Sequence, residues 1–502
     1  MTEGEKVKNK SIKKNFIYNS ILTSANIVFP LITAPYLSYT LGAENIGKVN
    51  FATSIVNWFI LISSFGIPRY GIREIARNRD NKKELTNTFW NLILIQASLS
   101  IIAIIVYLLA IFNVPRFESE LNIHLMMVMM LILNVFSIDW FYQGIEEYSY
   151  ITIRNIAFKI ISIILMFAIV KNSDDYMIYA GINIFGLCFN NVLNYLNTKK
   201  YIDKKMYKLE ILTYLKELRI YFFTTLIIAL YTQLDQLFIG YGSEQHLAFY
   251  LRSKTILGIG LSITNSLITV LIPRTAYLIK NDYEAYKKVI FKSINYIYII
   301  GLPCIVGIFL LSREIMIFLG GEEFIPASYS LKIISVLIVV NAVGSWQVNQ
   351  ILIPYRKEDV ALKIQTISAI VSILLNIILV PKISYIGAAI AWCITESMLV
   401  IMEAIAINRE CKDIRIQYIT SSLKKYLISV LCMAIPIIII KSIINNHIVV
   451  ILISVIIAPF IYGISCILLK DDIALNVLEQ LKSKFIKKNS SWYKLKIVIY
   501  IP

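Results

Sequence analysis

The chain has 502 residues, of which 57% are apolar and only 16% charged, against about 25% charged in a soluble domain. That composition excludes a water-soluble globule, and the polar segments are too short for a soluble catalytic domain of more than about 50 residues. The net charge of +17 fits Lys and Arg held on one face of a membrane better than a nucleic-acid partner.

A crossing helix needs about 20 apolar residues. Apolar runs punctuated by Gly, Pro and charge place spans at 15–37, 47–67, 88–112, 121–142, 155–170, 176–197 and 220–240, then at 247–272, 293–311, 326–345, 364–380, 385–407, 426–440 and 448–469. With the N-terminus inside, cytoplasmic segments hold 39 Lys or Arg, the opposite loops five (Arg116, Lys171, Arg313, Lys382, Lys441) and the spans five. The excess predicts both ends inside and an even number of helices. The six cysteines fall singly and the three histidines far apart, so neither a disulfide framework nor a metal site is indicated.

A faint repeat at an offset of about 200 residues sets LGAENIGKVNFATSI (41–55) against YGSEQHLAFYLRSKTI (241–256) and overlays Glu44 on Glu244. The pattern predicts an all-α polytopic membrane protein of about 14 transmembrane helices, two pseudo-repeated six-helix bundles plus a terminal pair. The divisions are a basic N-terminus (1–14), a first bundle (15–197), a cytoplasmic linker (198–219), a second bundle (220–407), helices 13 and 14 (408–469) and a basic tail (470–502). The tail carries Ile473, Val477, Leu478, Leu481 and Phe485 at helical spacing, as an interfacial helix would.

Nine charges fall inside the spans: Lys48, Lys159, Arg252, Lys254, Lys332, Asp139, Asp235, Glu396 and Glu403. A central charge costs about 2.5 to 3.5 kcal/mol on insertion scales, so each needs a partner, a wet cavity or an interface. Lys48, Lys332, Asp139 and Glu403 lie near span ends, where the interface suffices. Asp235 and Arg252 fall at matching depth on successive helices, which predicts an ion pair. Lys254, about 200° further round the helix, cannot share the Arg252 face, so one cation is left to line a cavity. Lys159 is the matching cation of the first bundle. Asn19, Thr23 and Asn26, and Asn50, Ser54 and Asn57, form polar stripes. Candidate substrate-binding residues are therefore Arg252, Lys254, Lys159, Asn26 and Asn57, with Asp235 and Glu396 as coupling or ion-pair acids. GAENIGK (42–48) has the spacing of a phosphate-cradling loop, but Val49 replaces the hydroxyl residue and no strand precedes it. Neither a catalytic constellation nor a cofactor motif is found.

Several segments in order, FPLITAPYLSYTLGAENIGKVNFATSIVNWF (29–59), FGIPRYGIREIARNRD (65–80), DWFYQGIEEYSYITIRNIAFK (139–159), IPRTA (272–276), FLGGEEFIPA (318–327) and LNIILVPKISYIGAAIAWCITE (375–396), resemble the Wzx-type oligosaccharide-lipid flippases. These form the polysaccharide transporter branch of the multidrug/oligosaccharidyl-lipid/polysaccharide superfamily. Arg69, Arg73, Trp140, Gln143, Gly144, Glu146, Arg154, Lys159 and Asp235 match that pattern, whereas Ala248 stands in the glycine position of the segment after span seven. The resemblance implies a bacterial cell-membrane transporter, not an enzyme. It would carry undecaprenyl-diphosphate-linked repeat units from the inner to the outer leaflet for capsule, O-antigen or a related glycan, by alternating access. Polymerases and glycosyltransferases of that pathway would be its partners. A cation-coupled multidrug antiporter and a lipid II flippase of the same superfamily are the alternatives. A membrane glycan polymerase ranks lower, for want of a large outer loop.

Overall fold

The computed structural model describes residues 12–411, 413, 414 and 420–479, and every regular element among them is helical. In hydrocarbon each backbone N–H and C=O must be paired within the segment, which only a helix does for a lone span. Among the described residues eleven helices are long and apolar enough to cross a bilayer, or twelve if the bent pair Ile211–Thr232 and Leu234–Gly242 is one span. Two helices are 53 residues long, Ile12–Ser64 and Glu358–Glu410, enough for two crossings each. The expected fourteen passes would require both to cross twice.

Both long helices are broken where a second pass would begin. The first breaks at Gly42, with φ 75° and ψ 170°. The second breaks at Ile383 and Ser384, the latter at φ 47°. There the chain folds back, because a β-carbon on Gly387 would lie 2.5 Å from the Leu379 carbonyl oxygen, whereas eight residues of straight helix span about 12 Å. Polar side chains hold other helix starts: Asn81 accepts from the Lys83 and Glu84 amides, and Asn446 from those of Ile448 and Val449.

The chain packs as two compact units. One is built from the chain up to Ile256 with Met316–Ser330 and Leu362–Thr395, and its core gathers Ile67, Tyr70, Phe89, Trp140, Phe141 and Tyr142. The other comprises Leu257–Ile315, Leu331–Ala361 and the chain from Glu396 onward, around Ile290, Ile294, Trp346, Ile407, Tyr426 and Ile437. Large apolar side chains such as Ile101, Leu109, Leu431, Ile456 and Phe460 are exposed, the surface a lipid-embedded bundle presents.

The segment read as a linker, 198–219, is helical from Ile211 onward. The tail is helical over 472–479, with Ile473 buried and Val477 exposed. Leu481 and Phe485 lie outside the described residues.

Candidate functional site

A break in span seven builds the charged cluster. Gln233 leaves helical geometry at φ −134°, and the Gln236 amide donates to the Gln233 carbonyl at 3.2 Å. The Thr232 carbonyl thereby loses its usual i+4 donor and is open to another cation or donor. Lys254 Nζ takes it, donating to Thr232 O at 2.8 Å and to Asp235 Oδ2 at 3.3 Å. Its ammonium also sits 4.6 Å from the Trp392 ring centroid and 5.2 Å from that of Tyr250, a cation–π setting. Buried Asp235 accepts the Tyr250 hydroxyl on Oδ2 and the Gln236 amide on Oδ1.

The ion pair of Asp235 is thus with Lys254, and the expected Asp235–Arg252 pair does not form. Depth along the helix matches both cations, but the azimuth selects the one facing back toward span seven. Arg252 points elsewhere: its Nη2 donates to Ser38 Oγ at 2.7 Å, and its guanidinium lies 5.2 Å from the Phe324 ring centroid. Tyr179 is within electrostatic reach of it. Among the described residues Arg252 has no ion pair with an acid. A half-buried guanidinium held by one hydroxyl and one ring has donors left for an anion.

Lys159 is also half-buried, bonded to the Asn26 side-chain oxygen and 5.7 Å from the Phe29 ring centroid. This joins two of the predicted residues. Asn57 is exposed. Among the described residues no hydrogen bond or ion pair links Lys159 or Asn57 to Arg252 or Lys254. Glu396 belongs to the second unit, buried there with Asn341 Nδ2 at 3.5 Å.

Within the first unit, one end of the region carrying Arg252 is tightly closed, the end that the charge count assigns to the outside. A β-carbon on Gly47 would fall 2.0 Å from the Glu244 carbonyl oxygen, and one on Gly240 would fall 2.2 Å from the Phe51 ring. Gly47 lets its helix meet the Glu244 backbone directly, and Gly240 leaves room for the Phe51 ring. The Gly42 break frees the Ala43 amide, which donates to both carboxylate oxygens of Glu323 at 3.1 Å. Arg116 clasps Glu244 at 3.0 Å and donates to the Tyr241 and Gly240 carbonyls. Ser54 meets Gln236 at 3.1 Å. The loop-like GAENIGK motif is therefore a helix junction.

Sequence reasoning missed Ser38, Phe324, Tyr250 and Trp392, since nothing in their local spacing distinguishes them from packing residues. Glu323 entered the sequence reading only within the FLGGEEFIPA segment, and Gln236 not at all.

The family model described as "Polysaccharide biosynthesis protein" matches residues 12–279. The chain belongs to that family. As a polysaccharide biosynthesis protein it is 29% identical over 168 residues to a protein of Escherichia coli (strain K12) named for O-antigen transport, spanning 34% of this chain and 40% of that one. It is 23% identical over 398 residues to a like-named protein of Shigella dysenteriae, spanning 78% of this chain and 98% of the relative. Among solved structures, the inward closed conformation of the lipid II flippase MurJ aligns with TM-score 0.72 at 17% identity, covering 91% of this chain and 100% of that one. At that identity the likeness concerns the fold alone. The family membership and the apolar helices make this a multi-pass membrane protein.

Proposed function

We propose that this protein flips lipid-linked oligosaccharide from the inner to the outer leaflet of the bacterial cell membrane, with both termini cytoplasmic. The lipid-linked unit would be undecaprenyl diphosphate carrying a capsule, O-antigen or related repeat. The observation that carries this reading is Arg252, a half-buried guanidinium inside a membrane helix bundle with no acid partner among the described residues. A diphosphate cannot cross hydrocarbon bare, and a guanidinium is suited to hold one bidentately. Lys159 with Asn26 offers a second positive, polar station, and Asn57 an exposed amide. Lys254, neutralised by Asp235 and bonded to the Thr232 carbonyl, fixes the broken helix beside Arg252.

The names of the relatives support the cargo, and the zipped glycine seam supports alternating access from a state closed at that end. With the cell interior negative, outward movement of an anion is favoured by about 2.3 kcal/mol per charge per 100 mV. Polymerases and glycosyltransferases of the same pathway are the expected partners.

The deciding experiment is leaflet assignment of a fluorescent lipid-linked oligosaccharide in vesicles with and without the purified protein. Protein-dependent movement that falls at least about tenfold, or about 1.4 kcal/mol, in both Arg252→Gln and Arg252→Lys supports the reading. Equal movement in empty vesicles, or full activity of Arg252→Gln, overturns it.

A further inference from the structure

The second unit holds a buried carboxyl group that transport of a phosphate does not use. Glu403 is 0% exposed, and neither of its side-chain oxygens has a hydrogen-bond partner. The sequence position suggested a span end with interfacial water, but the fold encloses it. The helix Leu337–Gln347 packs against it, where a β-carbon on Gly344 would lie 3.6 Å from Glu403 Oε2. That helix carries no ionisable side chain. On its own helix Glu396 lies seven residues earlier, two turns along the same face. Among the described residues Glu396 is the one titratable group whose charge acts on Glu403.

A polar trail leads to the pair. Asn265 Nδ2 donates to Asn341 Oδ1 at 3.2 Å, Asn341 Nδ2 stands 3.5 Å from Glu396 Oε1, and Asn265 Oδ1 is itself without a donor. The two asparagines are only half-buried. They link Glu396, on the same helix face as Glu403, to less buried surroundings.

A carboxylate without donors, in an apolar bundle and with a second carboxyl group two turns along its helix, is stable only when a proton or cation is bound. A sodium ion inside a membrane is generally held by unwound backbone carbonyls and helix ends. The Glu403 helix is unbroken beyond Ser384, with its only non-helical residues at Ile383 and Ser384. We propose that Glu403 is a proton-binding site, exchanging its proton with water that reaches it past Glu396 and the half-buried Asn341 and Asn265, and that proton exchange there drives the conformational cycle. Binding forms the O–H bond on Glu403, and release returns the proton to water. The coupling, though not the site, rests on the flippase reading.

The test uses the full-length protein in lipid vesicles. Infrared difference spectra on a pH jump should show the carbonyl band of a protonated carboxyl group, shifted in heavy water. It should be absent in Glu403→Gln and retained in the surface control Glu410→Gln. An inward or outward gradient of one pH unit, at clamped potential, should change the steady-state leaflet ratio of lipid-linked oligosaccharide by up to about tenfold for one proton per cycle. Glu403→Gln should abolish that response. Absence of the band in the unmodified protein, its persistence in Glu403→Gln, or a response to sodium at constant pH overturns the proposal. If Glu403→Gln fails to insert, the spectrum of the unmodified protein alone decides the site. A band without any flipping upholds the site and counts against the flippase reading.

Discussion

Asp235 in the first unit accepts from Lys254, Tyr250 and its own helix, whereas Glu403 in the second unit accepts from no described residue. Both are buried acids on apolar helices of one chain, so burial alone does not set an acid's role. The difference lies in what the neighbouring backbone does. A broken turn at Gln233 frees a carbonyl that brings Lys254 to Asp235. The unbroken helix around Glu403, facing the small Gly344, supplies space but no donor. The second unit also contains the first arrangement, in Glu314, which pairs with Lys441 at 3.1 Å. Enclosed acids with partners hold the fold, and the enclosed acid without one is free to exchange a proton.

Several substitutions break or sharpen this contrast. The largest effect is expected of Asp235→Asn, which strands the Lys254 ammonium; losing one half of a buried pair costs about 3–5 kcal/mol. Thermal unfolding in detergent should show it, and adding Lys254→Met should recover most of the loss. If the double variant is no better than the single one, the pair is not what holds this region. Gly47→Ala comes next: its methyl cannot fit against the Glu244 carbonyl, and forced overpacking costs about 1–3 kcal/mol. Disulfide cross-linking of cysteines placed across the seam should report the wider gap as slower closure.

Glu323→Ala removes the acceptor of the Ala43 amide at the Gly42 break, with an expected cost of about 1–2 kcal/mol in the same melting measurement. Intact stability would show that the junction does not need this cap. The smallest effect belongs to the loop pair of Lys82 and Asp203, 2.8 Å apart. The hydrogen bonds from Lys82 and Tyr207 hold the Asp203 carboxyl below its ordinary value of 3.8. Its contribution is therefore present above that value and lost as pH falls through the lower folded value. Asp203→Asn should cost about 0.5 kcal/mol at neutral pH, and the gap from the unmodified protein should close on acidification.

Part of the candidate site was legible from residue type and spacing. Lys159, Arg252, Lys254 and Asp235 stood out because a charge within an apolar run is expensive wherever the run ends up. Their partners did not stand out. Whether Asp235 meets Arg252 or Lys254 depends on helix rotation and on the Gln233 break, neither of which periodicity resolves. Glu403 shows the opposite failure: position in the run suggested a wet helix end, and only packing by the Leu337–Gln347 helix encloses it.

Composition by itself determined a helical, membrane-embedded chain, since 57% apolar residues in long runs admit no other way to pair the backbone in lipid. The ordered motifs carried the family. Tertiary structure decided which cation is neutralised and which is left for an anion, because those choices turn on contacts between residues up to 214 positions apart, such as Arg252 with Ser38. It also decided which acid is sealed from solvent, because enclosure is a property of neighbouring helices that no single segment encodes.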